Sequence, residues 1–340
     1  MQNINTLELP LVSIVMGYYN RIDQTEITLD TISKTEYKNF EVIIVDDGST
    51  DQHDLKKIIY KYNYYIKLIK INKTQKKWIN PCVPYNIGLQ IAKGDIIIIQ
   101  NPEVAHVGDV IKFTIENISE GIYLGYSVYT SPSFMHNKIF KNMCLQNKDY
   151  IQTNFIDTID NKNYQFNYEY YINKYNDIQK LNYTDAYNHW NTIGINEGRV
   201  CNSTYIYQPD AYIKWKGWYN HPEFNNRPYH FLTAITRNDL KKVGGFDDNF
   251  KNGLWYDDDD FLRRVSKVCS INNLGNEKIF GVHLFHSCGS AEQMNQKNFI
   301  KLSYINKRIK KNNIKNNKIN VYTGDPNDYL QYEIIENKIA

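Results

Sequence analysis

The 340-residue chain has few cysteines, little net charge and no long apolar run, and each absence excludes a class of protein. The five cysteines are scattered, odd in number and never spaced as CxxC, which argues against a zinc site or a disulfide framework. A formal net charge of +3 is too small to indicate nucleic-acid binding through bulk charge. The longest apolar run, around residues 96–99, is far too short to span a bilayer.

The amino terminus also lacks a targeting pattern. Residues 1–10 are polar and do not show the basic-then-apolar order of a signal peptide. We therefore expect a soluble protein of the reducing cytoplasm without a transmembrane segment. The length suits one large α/β domain, or one domain with an insert.

Apolar runs rich in β-branched residues alternate with helical patterns in the first third of the chain. This alternation predicts a parallel sheet covered by helices on both faces. Ligands bind such sheets beyond the carboxyl ends of the strands. Neither a GxGxxG nor a GxxxxGK[ST] pattern is present, so dinucleotide and P-loop sites are not indicated. The predicted strands lie near 12–17, 41–46, 66–71 and 95–100, and the predicted helices near 23–34, 51–62 and 84–92.

Two polar clusters follow the first two predicted strands, at 17–21 and 46–51. Asp46 ends an apolar run, where a buried carboxylate is costly unless it has a partner. A ribose hydroxyl or a base N–H would be a suitable partner. The alternative is a plain turn in which Asp47 and Ser49 cap the next helix, and the sequence leaves both interpretations open.

Four consecutive aspartates, Asp257–Asp260, follow two aromatic residues and precede an amphipathic helical pattern. Helix capping explains one or two acidic residues at a helix start, not a run of four that repel each other. Aromatic rings beside carboxylates are typical of sugar sites, where the ring contacts the pyranose face. We therefore predict that Trp255, Tyr256 and Asp259 contact an acceptor.

Both halves of the sequence resemble glycosyltransferase family 2. Residues 12–21, 45–51 and 84–95 resemble its nucleotide-sugar half, and residues 231–247 and 257–264 resemble the carboxyl-terminal region of galactosyltransferases. The resemblance implies a GT-A fold, which is one mixed, mostly parallel α/β sheet with helices on both faces. It also implies an inverting transfer of a sugar from a nucleoside diphosphate, with UDP favoured, to a hydroxyl of a glycan or protein.

The resemblance further implies roles for individual residues. Asp258 falls at the position of the general base, with Asp257 beside it, and one register slip is possible. The residues implied in donor binding are Tyr19, Asn20, Arg21, Asp46, Asp47, Asn86, Gln100 and Asn101.

A divalent cation, with manganese favoured, is also implied, although the chain departs from the family's Asp-x-Asp. The segment Asn101-Pro102-Glu103 retains one carboxylate, and a lone carboxylate binds hard cations more weakly than two. The resemblance also implies a histidine ligand near 283–286. If that run is a strand, His283 and His286 face opposite sides, so we predict Glu103 and His286 as the metal ligands.

These patterns predict a nucleotide-sugar half (1–130), an irregular segment (131–228) and an acceptor or catalytic half (229–305). Within the irregular segment, aromatic residues at helical spacing predict a small helical insert at about 164–202, for which acceptor or partner recognition is a guess. Residues 306–340 are a basic polar tail, whose Lys/Asn-rich run at 306–320 is expected to be a solvated helix or a frayed segment.

Two other functions remain open at this stage. The altered Asn101-Pro102-Glu103 motif favours a catalytically inactive GT-A-like protein that binds a sugar or nucleotide. A sugar-phosphate nucleotidyltransferase would use a similar sheet, but it needs a glycine-rich basic loop after the first strand, and residues 17–21 are too few for one.

Overall fold

A computed structural model shows an eight-stranded mixed sheet and a smaller four-stranded sheet. It describes residues 9–131, 137, 138, 140–142, 166–194, 197, 199, 215–275, 278–286, 296–324 and 332–337. The strands are β1 (Val12–Tyr18), β2 (Phe40–Asp46), β3 (Tyr65–Ile71), β4 (Ile96–Gln100), β5 (Val104–Val107), β6 (Ile122–Tyr126), β7 (Val128–Thr130), β8 (Trp218–Tyr219), β9 (Leu232–Thr236), β10 (Ser270–Leu274), β11 (Phe280–His283) and β12 (Tyr332–Glu336). The α-helices are α1 (Ile22–Ile32), α2 (Cys82–Ile91), α3 (Val110–Asn117), α4 (Tyr168–Lys174), α5 (Tyr183–His189), α6 (Arg237–Val243), α7 (Asp257–Val265) and α8 (Gln296–Lys315).

The large sheet has the order β10-β6-β9-β4-β1-β2-β3-β12, and its centre is parallel. Strands β4, β1, β2 and β3 run side by side in one direction, while β9 and β12 run antiparallel to their neighbours. Alternate residues of β1 enter different apolar cores: Ile14 and Met16 belong to one, and Val15 belongs to the other. Both faces of the sheet are therefore covered, which confirms the predicted mixed, mostly parallel α/β fold.

The predicted helix near 51–62 is wrong in type, because that stretch forms three short 3-10 turns, Asp51–His53, Leu55–Lys57 and Ile59–Lys61. The reason is local. Asp54 has an extended backbone and its side chain accepts a hydrogen bond from the Lys56 N–H, which interrupts any continuous helix.

Antiparallel pairing brings later parts of the chain to the carboxyl edge of the parallel strands. Strand β9 begins where β4 ends, and the Asn101 N–H donates to the Phe231 carbonyl at 3.2 Å. In the smaller sheet, His283 of β11 is paired with Val104 of β5. The edge that holds the ends of β1, β2 and β4 thus also receives the start of β9 and the end of β11.

Residues 166–194 pack around a cluster of their own, with Tyr171 and Trp190 buried at its centre. Helices α4 and α5 and the π-helical turn Trp190–Gly194 form this unit. Its aromatic side chains contact mainly each other, with Phe166 stacked on Trp190. The limits of the predicted insert remain a prediction, because residues 143–165 and 200–214 lie outside the described part.

Helix α8 contacts α7 and the 3-10 turn Asp248–Asn252. Its inner face includes two fully or nearly buried amides, Asn306 and Asn313. Most of residues 306–315 are exposed, as expected for a solvated helix, but the helix also has an inner face that carries these two amides. Among the described helices, none combines the length and the apolar character needed to cross a membrane.

Candidate active site

A cavity of about 250 Å³ lies at the carboxyl edge of β1, β2 and β4. It contains five residues that the sequence had suggested for donor or metal binding, together with residues that the sequence had not suggested. The lining residues are Gly17, Tyr19, Arg21, Asp47, Lys76, Ile79, Pro81, Tyr85, Asn101, Pro102, Glu103 and His230.

Asp47 is the carboxylate that β2 presents to this cavity. One oxygen accepts a hydrogen bond from the Trp78 indole at 2.8 Å, and the other lies 2.6 Å from Lys76 Nζ. Burial raises the pKa of Asp47 to about 6, against the opposing effects of Lys76 and Trp78. The Lys76 ammonium also lies over the ring of Tyr19, 4.7 Å from its centroid. Asp47 is thus a fixed acceptor beside an aromatic surface and a cation.

Asp46 shapes the loop rather than the cavity wall. Its Oδ1 accepts the Ser49 N–H at 2.9 Å, and the side chain is almost completely buried. Burial raises the pKa of Asp46, and the hydrogen bonds to Ser49 oppose that rise. Asp46 therefore caps the turn, a role that the sequence had left open for Asp47 and Ser49, whereas Asp47 lines the cavity.

Asn20 joins the two loops. It has a left-handed backbone (φ 53°), its N–H donates to Ser49 Oγ at 3.0 Å, and its Oδ1 accepts the Thr50 N–H at 2.9 Å. The structure therefore places Asn20 behind Tyr19 and Arg21, where it orders the loops that carry them.

Gln100 and Asn86 do not line this cavity, which corrects two predictions of donor contact. The buried Gln100 side chain hydrogen-bonds to the Val104 carbonyl at 3.1 Å and to His106 Nε2 at 2.8 Å. Asn86 bonds both backbone groups of Phe246, at 2.8 and 2.9 Å, and the Thr323 carbonyl. Both are amides that satisfy buried backbone or side-chain groups, and sequence alone could not show which way they faced.

Glu103, His283 and His286 form a three-residue cluster whose potential ligand atoms lie within 4.8 Å of one another. Glu103 Oε1 lies 3.5 Å from His283 Nε2 and 3.6 Å from His286 Nε2. Strand β11 ends at His283, so alternation does not extend to His286. The expectation that His283 and His286 face opposite sides is therefore wrong, and both histidines lie beside Glu103.

The residues of this cluster fit a divalent cation. Atoms bound at about 2.1 Å to one ion lie about 3–3.5 Å apart, close to the separations observed. The observed separations of 3.5 and 3.6 Å between Glu103 and the two imidazoles are long for direct hydrogen bonds. In the described part of the chain, Glu103 Oε2 and His283 Nδ1 are buried without hydrogen-bond partners. One carboxylate with two imidazoles suits manganese or another transition metal better than magnesium.

Glu103 is held in its charged form. Burial alone would raise the pKa of Glu103, but Arg21 and the two histidines outweigh burial and hold that pKa well below its usual range. Arg21 Nε lies 3.5 Å from Glu103 Oε2. The cavity therefore combines an ionised carboxylate with two cationic side chains, Arg21 and Lys76, on its walls.

His230 connects this cluster to the acidic helix, and sequence reasoning missed it. It immediately precedes Phe231 and β9, lines the cavity, and contacts Tyr85 edge-on with ring centroids 4.9 Å apart. Burial lowers the pKa of His230, and the charges of Asp257 and Glu103 oppose this effect. The only sequence signal was its position just before the Phe231–Ile235 motif.

Asp257 and Asp258 are the first two residues of α7. Asp257 is 4% exposed, its Oδ1 accepts a hydrogen bond from Asn80 at 2.9 Å, and its Oδ2 is buried without a partner among the described residues. Asp258 is half-buried. Burial, with the neighbouring charge of Asp259, raises the pKa of Asp258 to about 6. Burial and the charge of Asp258 also raise the pKa of Asp257.

The other two aspartates have protein partners. Asp259 accepts a hydrogen bond from the Tyr229 hydroxyl at 2.6 Å and pairs with Lys310 at 3.1 Å. Asp260 is buried and pairs with Arg264 at 2.8 Å. These contacts make Asp260 a structural residue and leave Asp259 only partly available for an acceptor.

Trp255 and Tyr256 carry the chain into α7 with left-handed backbones, at φ 59° and 68°. Such values are uncommon for bulky residues and often occur at functional sites. Trp255 is 54% exposed and contacts Phe299 edge-on, whereas Tyr256 is half-buried beneath Lys310. Of the two, Trp255 presents the open aromatic surface.

Comparison with known proteins supports the resemblance for part of the chain. Residues 13–150, which are less than half of the chain, match the family model described as glycosyl transferase family 2. The resemblance to this family inferred from the sequence is thereby confirmed for these residues.

Two curated relatives match short parts of the chain. The amylovoran biosynthesis glycosyltransferase AmsB of Erwinia amylovora is 34% identical over 85 residues, which cover 25% of this chain and 28% of AmsB. The putative glycosyltransferase EpsE of Bacillus subtilis is 37% identical over 91 residues, which cover 25% of this chain and 32% of EpsE. The chain thus spans about a third or less of the length of these relatives.

A similar solved structure is that of the mannosyltransferase PcManGT from Pyrobaculum calidifontis, in complex with GDP-Man and Mn²⁺. It is 15% identical, with a TM-score of 0.41, and the match covers 84% of this chain and 59% of that one.

Proposed function

We propose that the protein is an inverting glycosyltransferase that moves a sugar from a nucleoside diphosphate, with UDP as the first candidate, to a hydroxyl of a glycan or protein. One observation carries this proposal. The cavity at the carboxyl edge of β1, β2 and β4 contains Asp47 and Glu103, and the charge of Asp257, at the start of the acidic helix, acts on His230 in its wall.

The nucleotide is proposed to bind at the ends of β1 and β2. The ring of Tyr19 supplies a face for stacking, and the Asp47 carboxylate can accept a base N–H or a ribose hydroxyl. Asp47 is well suited to this because Trp78 and Lys76 fix both of its oxygens, which limits the entropy lost on binding. Asn101, whose Oδ1 accepts the Tyr85 hydroxyl at 2.9 Å, would lie nearer the sugar.

The diphosphate is proposed to lie toward Arg21 and Glu103. Arg21 lines the cavity and can bind phosphate oxygens with a planar, charged group. Glu103, His283 and His286 would hold a divalent cation, which would stabilise the negative charge on the departing nucleoside diphosphate. The chain has only one carboxylate, Glu103, where the family's Asp-x-Asp motif has two. The imidazoles of His283 and His286 would take the place of the second carboxylate as ligands.

Asp258 is proposed to be the general base. An acceptor hydroxyl becomes a good nucleophile only as a carboxylate takes its proton, and the best base has a pKa near the working pH. The pKa of about 6 leaves Asp258 ionised at neutral pH and more basic than an ordinary aspartate. Asp257, nearly fully buried and bound to Asn80, is assigned to positioning and to the electrostatics of the pair.

The proposal is tested by nucleotide release from a panel of UDP-, GDP- and dTDP-sugars, with manganese and after chelation. Water can serve as the acceptor, so the assay requires no knowledge of the natural one. Release from one donor that depends on manganese supports the proposal. Calorimetric binding of a nucleotide without any release would instead favour the catalytically inactive binding protein.

A further inference from the structure

The inner face of α8 contacts the loop that carries the acidic helix at successive points. The Leu254 N–H donates to the Leu302 carbonyl at 3.2 Å, and Lys310 pairs with Asp259. One turn further on, Asn313 donates to Asp247 at 2.9 Å and to Asp260 at 3.2 Å. Helix α8 lies outside residues 13–150, which match the family model.

Asn306 makes the most informative of these contacts. It is completely buried, and its side-chain NH₂ donates to the carbonyls of Phe250 at 3.0 Å and Trp255 at 2.9 Å. Its Oδ1 is buried without a hydrogen-bond partner in the part of the chain that the structure describes. The side chain therefore uses both donors, and neither an aspartate nor an apolar residue of the same size could replace them.

Gly253 makes room for this amide. A Cβ at Gly253 would lie 2.2 Å from Asn306 Oδ1 and 2.5 Å from Asn306 Cγ. The backbone of Gly253 is extended (φ −129°), a conformation that any residue can adopt. A Cβ would also lie 2.8 Å from the Leu302 carbonyl, so the need for glycine here comes from the close approach of α8, at Asn306 and Leu302, and not from the backbone angles.

The backbone between these contacts has the unusual left-handed pair Trp255 and Tyr256, immediately before Asp257. Bulky residues hold such angles only where surrounding contacts impose them. The Asn306 bond to the Trp255 carbonyl is made at the first residue of the pair. Without it, the pair can relax, and the first turn of α7, which carries Asp257 and Asp258, would rotate relative to His230.

We propose that Asn306 is a positioning residue for the transfer reaction: it imposes the left-handed Trp255–Tyr256 turn and so orients the carboxylates of Asp257 and Asp258. This inference rests on the proposed function for its catalytic consequence, but its structural part can be tested independently. Asn306 acts through the backbone of Trp255 and does not touch substrate.

The test compares Asn306→Asp, which is nearly isosteric, with Asn312→Asp, the same change at an exposed position of α8. Both proteins are labelled with 5-fluorotryptophan, and the Trp255 signal among the five tryptophans is assigned with Trp255→Phe. In Asn306→Asp we expect a shifted or broadened ¹⁹F signal of Trp255 with the other signals unchanged, and neither effect in Asn312→Asp. Nucleotide binding should change less than twofold, while kcat for nucleotide release should fall at least tenfold at unchanged donor KM.

Gly253→Ala provides a second route if Asn306→Asp does not fold. It should displace Asn306 and give the same Trp255 signal change, and adding Asn306→Ala to it should cause little further change. An unaltered Trp255 signal in a folded variant would overturn the proposal, as would equal loss of nucleotide binding and release. If the wild-type protein releases no nucleotide, the proposed function fails, while the ¹⁹F signals still decide whether Asn306 orients the turn.

Discussion

The proposed donor side and the proposed acceptor side of the candidate site are constructed differently. On the donor side, Tyr19, Asp47 and Asn101 follow the ends of three neighbouring strands, so local sequence and sheet topology set their positions. On the acceptor side, Asp257 and Asp258 begin a helix that is held by residues far away in sequence, including Asn80 and those of α8.

The difference shows which part of the site is generic and which part is particular to this chain. Strand ends in a parallel sheet form a ligand site in many proteins. The acidic helix depends on long-range amide contacts, and it lies outside the residues that match the family model. We therefore expect donor-side substitutions to change binding and acceptor-side substitutions to change the chemical step.

The largest effect is expected from Asp258→Asn on the acceptor side. The amide cannot take a proton, so kcat for nucleotide release should fall by about 10²- to 10⁴-fold. Nucleotide affinity, measured by calorimetry on the same preparation, should stay within twofold. Retained release would move the base to another carboxylate, and lost binding would contradict the division between the two sides.

The candidate metal cluster of Glu103, His283 and His286 should show the next largest effect. His283→Ala removes one of three ligands, so the manganese concentration for half-maximal release should rise by about tenfold or more, and His286→Ala should behave alike. Manganese titrations of release measure this directly. If only His286→Ala altered the titration, His283 would not be a ligand.

Substitutions of the neighbouring carboxylates Asp47 and Asp46 test the proposed placement of the nucleotide. Asp47→Asn should weaken nucleotide binding about tenfold, because a charged acceptor is replaced at the cavity wall and the contact with Lys76 is weakened. Asp46→Asn should affect binding less and should lower thermal stability, because Asp46 caps its own loop at Ser49. Equal losses of affinity in the two variants would contradict the placement of the nucleotide.

The pH dependence should separate activity from stability. Asp258 must be ionised to act, so kcat should fall as the pH drops through about 6. Stability should change in the opposite direction. A carboxyl whose folded-state pKa is raised binds protons more readily in the folded state, so its contribution to stability grows as the pH falls from about 6 toward 4. Release rates and thermal melts over pH 4.5–8 would measure both trends.

Trp255→Ala is expected to have the smallest effect on donor chemistry. The ring is 54% exposed, so its loss should change nucleotide release to water by less than threefold. Once an acceptor is known, its KM should rise several-fold, as expected for a lost aromatic contact with a sugar. A large loss of release to water would mean that Trp255 supports the site structurally.

Much of the donor side could be predicted from sequence because its determinants are local. The apolar runs ending in Gly17–Arg21 and Asp46–Asp51 indicated both the sheet and its functional edge. Side-chain direction could not be predicted: Asp46, Asn86 and Gln100 are polar residues near a site that point into the structure.

The contacts that were missed all depend on long-range pairing. His283 reaches Glu103 because β11 pairs with β5, and His230 reaches the cavity because β9 runs antiparallel to β4. The buried amides of α8 occur in a Lys/Asn-rich run that is indistinguishable from a solvated helix in the sequence. Only the fold shows that Asn306 and Asn313 face the acidic helix.

The most direct test of the proposed mechanism is the anomeric configuration of the sugar first released from the accepted donor, followed by early-time NMR before mutarotation. A single base opposite the departing diphosphate predicts the anomer opposite to that of the donor. Release of the donor's own anomer would require a second displacement and would contradict the assignment of Asp258 as the base of a direct transfer.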